Sequence, residues 1–306
     1  MRSLEVTIKP AKRGERIKLV PISCLHVGHH SHEREKTQEL LARGLADPNT
    51  FFINLGDSGD NGTKQSPGAS VYENPLNPWE QCIVIAALLR PVVAAGKMLW
   101  WHNSNHSERT YKETGFFTME ETLARLFFGR GIHDKTWSLL NRYAEGEFHG
   151  KTRKDMAKRV DVEQYLDEVV KQAKVDDDPA VKWAGWQALT KLHAGDQEYM
   201  IHSMHGEGSG VAASSALQAV MKQEGNGLAD LYIRGHHHKR VAADSVRPIW
   251  APGGKVQMRR VGFVTTGCML GYHDSYGEMK GYRPLQTGMS TVELHTGKEW
   301  GFEFRF

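Results

Sequence analysis

The chain has 306 residues, 40% hydrophobic and 25% charged, with a net charge of only +3. That is enough for a large buried core, and it lacks the basic excess of a general nucleic-acid coat. Cys24, Cys82 and Cys268 are odd in number and widely spaced, which excludes a disulfide scaffold and points to a reducing compartment. No apolar stretch is long enough to span a bilayer and Met1 to Ile17 lacks the apolar core of a leader, so a cytoplasmic protein with no membrane contact is expected.

Arg16 to Ser23 carries Ile17, Leu19, Val20 and Ile22 and reads as a strand that ends at Cys24. Glu33 to Leu45 has the helical spacing of Leu40, Leu41 and Leu45, and Thr50 to Leu55 is a second strand that ends at Gly56-Asp57. Strand, helix, strand is the start of an α/β sheet. Asn61 to Pro78 is rich in Gly, Ser, Asn and Pro and reads as a loop, followed by a helix from Trp79 to Ala95 and a strand at Met98 to Trp101.

Phe117 to Phe128 has helical apolar spacing, and the pattern weakens across Gly131 to Gly150. Lys151 to Lys174 is helix-permissive, Asp176-Asp177-Asp178-Pro179 breaks it, and Ala180 to Leu192 resumes helically with Trp183, Trp186 and Leu189. Residues 131–196 are therefore expected to form a helical cap inserted in a single domain, 1–306. Strands return at Glu198 to Met204, Leu231 to Arg234, Val261 to Thr265 and Thr291 to Leu294.

Five short words follow these strands: Cys24-Leu25-His26, Gly56-Asp57-Ser58-Gly59-Asp60, Ser104-Asn105-His106, His205-Gly206 and Gly235-His236-His237-His238. Side chains placed just after successive strands converge at one edge of a sheet. Phosphate-ester hydrolysis needs charge neutralisation and a deprotonated water, which two divalent ions supply if a carboxylate bridges them. Asp57, in a glycine-flanked turn, is the candidate bridge. In an extended chain His236 and His238 share a side, each able to serve a different metal, and His237 points away. Asn105 offers a neutral amide ligand, and His106 a proton donor for the leaving alkoxide. His205 ends its strand next to a glycine and is favoured over His202 three residues earlier.

The order of these words resembles the calcineurin-like metallophosphoesterase family, with its D-x-H, G-D-x-x-D, G-N-H-D/E, H and G-H-x-H pattern, over Cys24 to His238. The resemblance implies an α/β fold, a four-layer α/β/β/α sandwich of two mixed sheets with two metals at the strand ends. Carried over, one ion takes His26, Asp57 and His238, with Cys24 where the family has an aspartate. The other takes Asp57, Asn105, His205 and His236. His106 matches the catalytic histidine, and Asp60 the second acid, in a supporting role.

Two departures stand out. Ser104 replaces the usual glycine, with Ser107-Glu108 in place of the adjoining acid. Cys24 is either a thiolate ligand, biasing its site from Mn²⁺ toward Zn²⁺ or Fe²⁺, or a small buried residue.

For the substrate, Arg109 next to the Asn105-His106 word can bind a phosphate oxygen or pair with Glu108. Lys151, Arg153, Lys154, Lys158 and Arg159 in the cap can track a phosphodiester backbone, with Trp183 and Trp186 stacking on bases, or form a solvated face over packed tryptophans. The expected activity is a metal-dependent phosphoesterase, with a phosphodiesterase or nuclease acting on DNA favoured over a phosphomonoesterase or protein phosphatase. The alternative of another class is a non-catalytic binding scaffold on a degraded phosphoesterase fold. The ligands are too scattered for a structural zinc site.

Overall fold

The computed structural model describes residues 1–63, 66, 74–114, 118–128, 133–172, 183–208, 210, 212–251, 253–273 and 275–306. Its strands are β1 (Arg2–Ile8), β2 (Ile17–Ile22), β3 (Thr50–Asn54), β4 (Met98–His102), β5 (Trp183–Gly185), β6 (Gln187–Ala194), β7 (Gln197–Met204), β8 (Leu231–Arg234), β9 (Ala242–Ala251), β10 (Lys255–Thr265), β11 (Gly267–Cys268), β12 (Gly288–Met289), β13 (Thr291–Leu294) and β14 (Phe302–Arg305). The helices that cover them are α1 (Arg34–Ala46), α2 (Pro78–Ala94), α3 (Asn105–Thr114), α4 (Met119–Phe128), α5 (Asp134–Ala144), α6 (Arg153–Gln172) and α7 (Ala213–Met221).

Two mixed six-stranded sheets form, in the orders β14-β13-β2-β3-β4-β5 and β1-β6-β7-β8-β10-β9. In the first, β2, β3, β4 and β5 run parallel; in the second, β7, β8 and β10 do. Strand β2 shows why the sheets stack. Its Ile17 and Leu19 join Ile53, Leu192, Ile201, Leu231 and Val264 in a core between the sheets. Val20 and Ile22 join Phe52, Leu41, Ile83, Leu89, Leu123 and Leu140 beneath the helices on the other side. From Leu19 to Ile22 the strand is buried on both faces, and it reads there as the apolar run seen in the sequence. On the far side of the second sheet Val220 of α7 packs with Tyr232 and Phe263. The layers are therefore helix, sheet, sheet, helix. Each large side chain buried in them contributes about 1.5–3 kcal/mol.

Helix α2 begins where the local chemistry dictates. The Asn77 side chain accepts from the N–H groups of Trp79 (2.9 Å) and Glu80 (3.0 Å), and Glu80 accepts from Asn77 N–H (2.8 Å), with Pro78 in the first turn. This capping box satisfies donors that the first turn leaves without intrahelical partners.

The expected helix at Ala180 to Leu192 is corrected: from Trp183 onward this stretch is strand, in β5 and β6. Strand β6 alternates, burying Ala188, Thr190, Leu192 and Ala194, but two alanines and a threonine on the inward face hide the period of two. β6 lies between β1 and β7, so the C-terminal part of the expected cap belongs to the sheets. The helical part, α5 and α6, packs on α2 and α4 through Trp137, Leu140 and Leu166. Asp176-Asp177-Asp178-Pro179 and half of the Asn61 to Pro78 loop lie outside the described residues.

Candidate metal centre

The five words sit directly after β2, β3, β4, β7 and β8, and the parallel strands bring them to one edge. Two of the loops are zipped together by the backbone. Cys24 N–H donates to Gly56 O (3.0 Å), His26 N–H to Asp57 O (3.1 Å), Val27 N–H to Ser58 O (2.9 Å) and Asp60 N–H to Val27 O (3.1 Å). Among the described residues, the non-glycine residues with positive φ are Cys24, His26, Asp57, Asn61, His236 and His238, and five of these six are candidate ligands. Such conformations each cost about 1–3 kcal/mol and persist only where the surroundings over-determine them. Glycines make room: a Cβ on Gly56 would lie 2.5 Å from Ser104 Cβ, and one on Gly235 2.4 Å from Ser23 Oγ.

The histidine tautomers follow from their partners, because a carbonyl can only accept. His205 Nδ1 lies 2.7 Å from Leu55 O and so carries the proton. Its Nε2 is turned toward Asn105 Oδ1 (2.9 Å), Asp57 Oδ2 (3.0 Å) and His236 Nδ1 (3.3 Å). His236 donates from Nε2 to Gly208 O (2.8 Å), which leaves Nδ1 aimed at the same point. Buried Asp57 Oδ2 has no hydrogen-bond partner there. On the other side, His26 Nδ1 donates to Asp60 Oδ1 (3.1 Å), and its Nε2 faces His238 Nε2 at 3.1 Å. Lone pairs and a carboxylate so arranged call for a cation, and tetrahedral nitrogen ligands on one ion lie about 3.3 Å apart.

Grouped by ligand atoms within 4.8 Å of one another, Cys24, His26 and His238 form one set, Cys24, Asp57 and His205 a second, and His26, Asp60 and His106 a third. These buried side chains are positioned to hold a metal ion. Cys24, expected beside one ion only, belongs to both of the first two sets. Its thiol is pushed up by burial and by the Asp57 charge. Burial opposes the Asp57 carboxylate, but His106, His205 and His26 together hold it well below the ordinary range. Burial lowers His238 well below the usual imidazole, with His26 adding to the effect.

No protein-family model, curated protein or solved structure matches this chain.

The site residues named from sequence come together, with two differences of geometry. His236 and His238 do not alternate along an extended chain; both are left-handed, so each leaves the turn in its own direction, one to His205 and the other to His26. His237 is buried, with Nε2 unpartnered, and falls in none of the three sets. His202 lies away from the ligands, tilted against Tyr232 and 3.5 Å from Gln223 Oε1, so His205 is the histidine that meets Asp57.

His106 is anchored through Nδ1, which donates to Asp60 O (2.5 Å), while its backbone N–H donates to Asp57 Oδ1 (3.3 Å). Its Nε2 stands 3.9 Å from Asp57 Oδ2. Burial lowers the ring to about 4. Arg109 Nη1 lies 3.4 Å from His106 Nδ1, and Glu108 pairs with Lys112 instead.

In the basic segment, Arg159 is bound to Glu80 and Glu163, whereas Lys151, Arg153, Lys154 and Lys158 are exposed. Trp183 packs against the helical-side core, and Trp186 is exposed in the turn before β6. No helix among the described residues is long and apolar enough to cross a membrane.

Sequence reading missed Glu120, fully buried behind the Asp57 turn, and Ser23, whose Oγ donates to Gly56 O (3.2 Å) and lies 3.3 Å from Cys24 Sγ. An acid in the first turn of a helix looks like a solvated residue, and a serine before a ligand looks like a turn. Neither carries a distinguishing signal in one dimension.

Proposed function

We propose that this chain is a divalent-metal-dependent phosphoesterase with two ions at the strand ends. The observation that carries the reading is the convergence of the His205 and His236 lone pairs on Asp57 and Asn105, beside the facing His26 and His238 nitrogens. Cys24, His26 and His238 would hold one ion, and Asn105, His205 and His236 the other, with Asp57 between them. Mn²⁺, Zn²⁺ and Fe²⁺ all suit this mixed donor set, the thiol favouring the last two. Bound there, such ions supply a water nucleophile at neutral pH and offset the charge on the phosphoryl oxygens.

The chain's own groups do the rest. Asp60 and the Leu55 and Gly208 carbonyls fix the imidazole orientations. His106, tethered at Nδ1, leaves Nε2 to exchange a proton with the departing oxygen, and a bound phosphate anion raises the basicity of that ring. Arg109 is the cation beside it and suits a non-bridging oxygen. One guanidinium matches the single negative charge of a diester better than the dianion of a monoester, which favours a phosphodiesterase, with a DNA backbone among its candidate substrates.

The test is metal content together with turnover of bis-aryl and mono-aryl phosphates, duplex and single-stranded DNA and a phosphopeptide, each with Mn²⁺, Zn²⁺, Fe²⁺ and Mg²⁺. The proposal expects bound metal and diester hydrolysis. Activity on monoesters alone would reject the diester preference, and bound metal without any turnover would favour a binding scaffold.

A further inference from the structure

Three donors converge on one buried carboxylate behind the site. Glu120 Oε1 accepts from Ser58 N–H (2.9 Å), and Oε2 accepts from Ser58 Oγ–H (3.1 Å) and Trp101 Nε1–H (2.5 Å). The backbone N–H of Glu120 in turn donates to Ser107 Oγ (2.9 Å), next to His106. The chain of bonds continues to the other side of Asp57: Asn54 Nδ2 donates to Ser58 Oγ (2.9 Å), and Asn54 Oδ1 accepts from Gly56 N–H (2.6 Å). Asp57, at φ 53°, is thus held at both of its neighbours.

We propose that Glu120 is a positioning residue that locks the left-handed Asp57 turn to the first turn of the His106 helix, so that ligand and proton donor keep one fixed relation. This inference rests on the metal-centre reading above. A carboxylate suits the place because two oxygens can accept all three donors, whereas the amide group of glutamine would turn N–H groups toward at least one of them. Stability alone does not account for it. Burial pushes Glu120 up to about 7 despite its three donors, and an acid buried at such expense is poorly rewarded by the fold itself.

The test is calorimetric titration of metal-free protein with Mn²⁺ for the wild type, Glu120→Gln and Leu123→Ala. Leu123 is buried in the same helix, one turn along, and as an aliphatic side chain makes none of the hydrogen bonds of this network. Supporting polar groups of this kind are worth roughly 10–100-fold in metal affinity. The expected result is that loss in Glu120→Gln for one of two ions, with an unchanged circular dichroism spectrum, while Leu123→Ala lowers the melting temperature and leaves both affinities in place. Wild-type affinities in Glu120→Gln, or an equal loss in Leu123→Ala, would overturn the role. Uptake of no ion by the wild type would instead remove the metal centre, and this inference with it. Should Glu120→Gln fail to fold, Ser58→Ala removes one of the three donors; weakened uptake of one ion supports the tether, and unchanged uptake overturns it.

Discussion

The ring nitrogens His26 Nε2 and His238 Nε2 face each other at 3.1 Å although 212 positions separate them in the chain. With His26 Nδ1 committed to Asp60, the approach needs either the Nε2–H tautomer of His238 as donor or a metal ion between the rings, and the metal-centre reading takes the second. Metal and fold should therefore be coupled. Added Mn²⁺ is expected to raise the melting temperature, by an amount equivalent to about 2.7 kcal/mol at a hundredfold excess over Kd. Differential scanning fluorimetry with and without chelator measures it, and no shift with any divalent ion would contradict the coupling.

Removing the proton donor should separate chemistry from metal binding. His106→Ala is expected to lower kcat on a bis-aryl phosphate by roughly 10²–10⁴-fold with the bound metal unchanged. Steady-state kinetics paired with elemental analysis decide this; wild-type turnover in the variant would remove His106 from the mechanism.

Asp57→Asn tests the other half. Its carboxyl lies well below the ordinary range, against the effect of burial and beside His106, His205 and His26, so loss of the charge should reduce metal stoichiometry rather than only slow turnover. Equilibrium dialysis that still finds two ions would show that Asp57 is not the bridge.

Cys24→Asp puts a carboxylate where the thiol stands. It should move the preferred ion from zinc or iron toward manganese, read as the rank order of activity across metals. An unchanged rank order, with unchanged activity, would mean that the thiol is only a packed side chain.

Glu120 gives a pH prediction for the metal-free protein. Its folded value of about 7 lies above its ordinary 4.5, so between these pH values the folded state holds more proton than the unfolded state. This contribution is fully present below about 4.5 and is lost as pH rises toward 7, with a slope of at most about 1.4 kcal/mol per pH unit. Urea unfolding across this range should show wild-type stability falling relative to Glu120→Gln; parallel curves would contradict the shift.

What the sequence by itself determined was the set of candidate ligand words and most of the strands before them, because β4 and β8 are buried along their whole length and β2 and β3 along most of theirs, so that they declare themselves as largely apolar runs. It also supplied the choice of His205, through the glycine that follows it. Other elements were not legible. β6 hides its alternation behind alanine and threonine and depends on neighbours distant in the chain, whereas α5 does carry helical spacing at Trp137, Leu140 and Tyr143, inside the stretch read as weakly patterned. Only the tertiary structure decided where the lone pairs point. Side-chain direction at Cys24, His26, Asp57, His236 and His238 follows from left-handed backbone, which loop zipping imposes against local preference. The same packing decided that Cys24 lies within reach of both ligand sets and that Glu120 bonds Ser58 behind Asp57, because proximity across 62 residues is a property of stacked layers and leaves no local pattern.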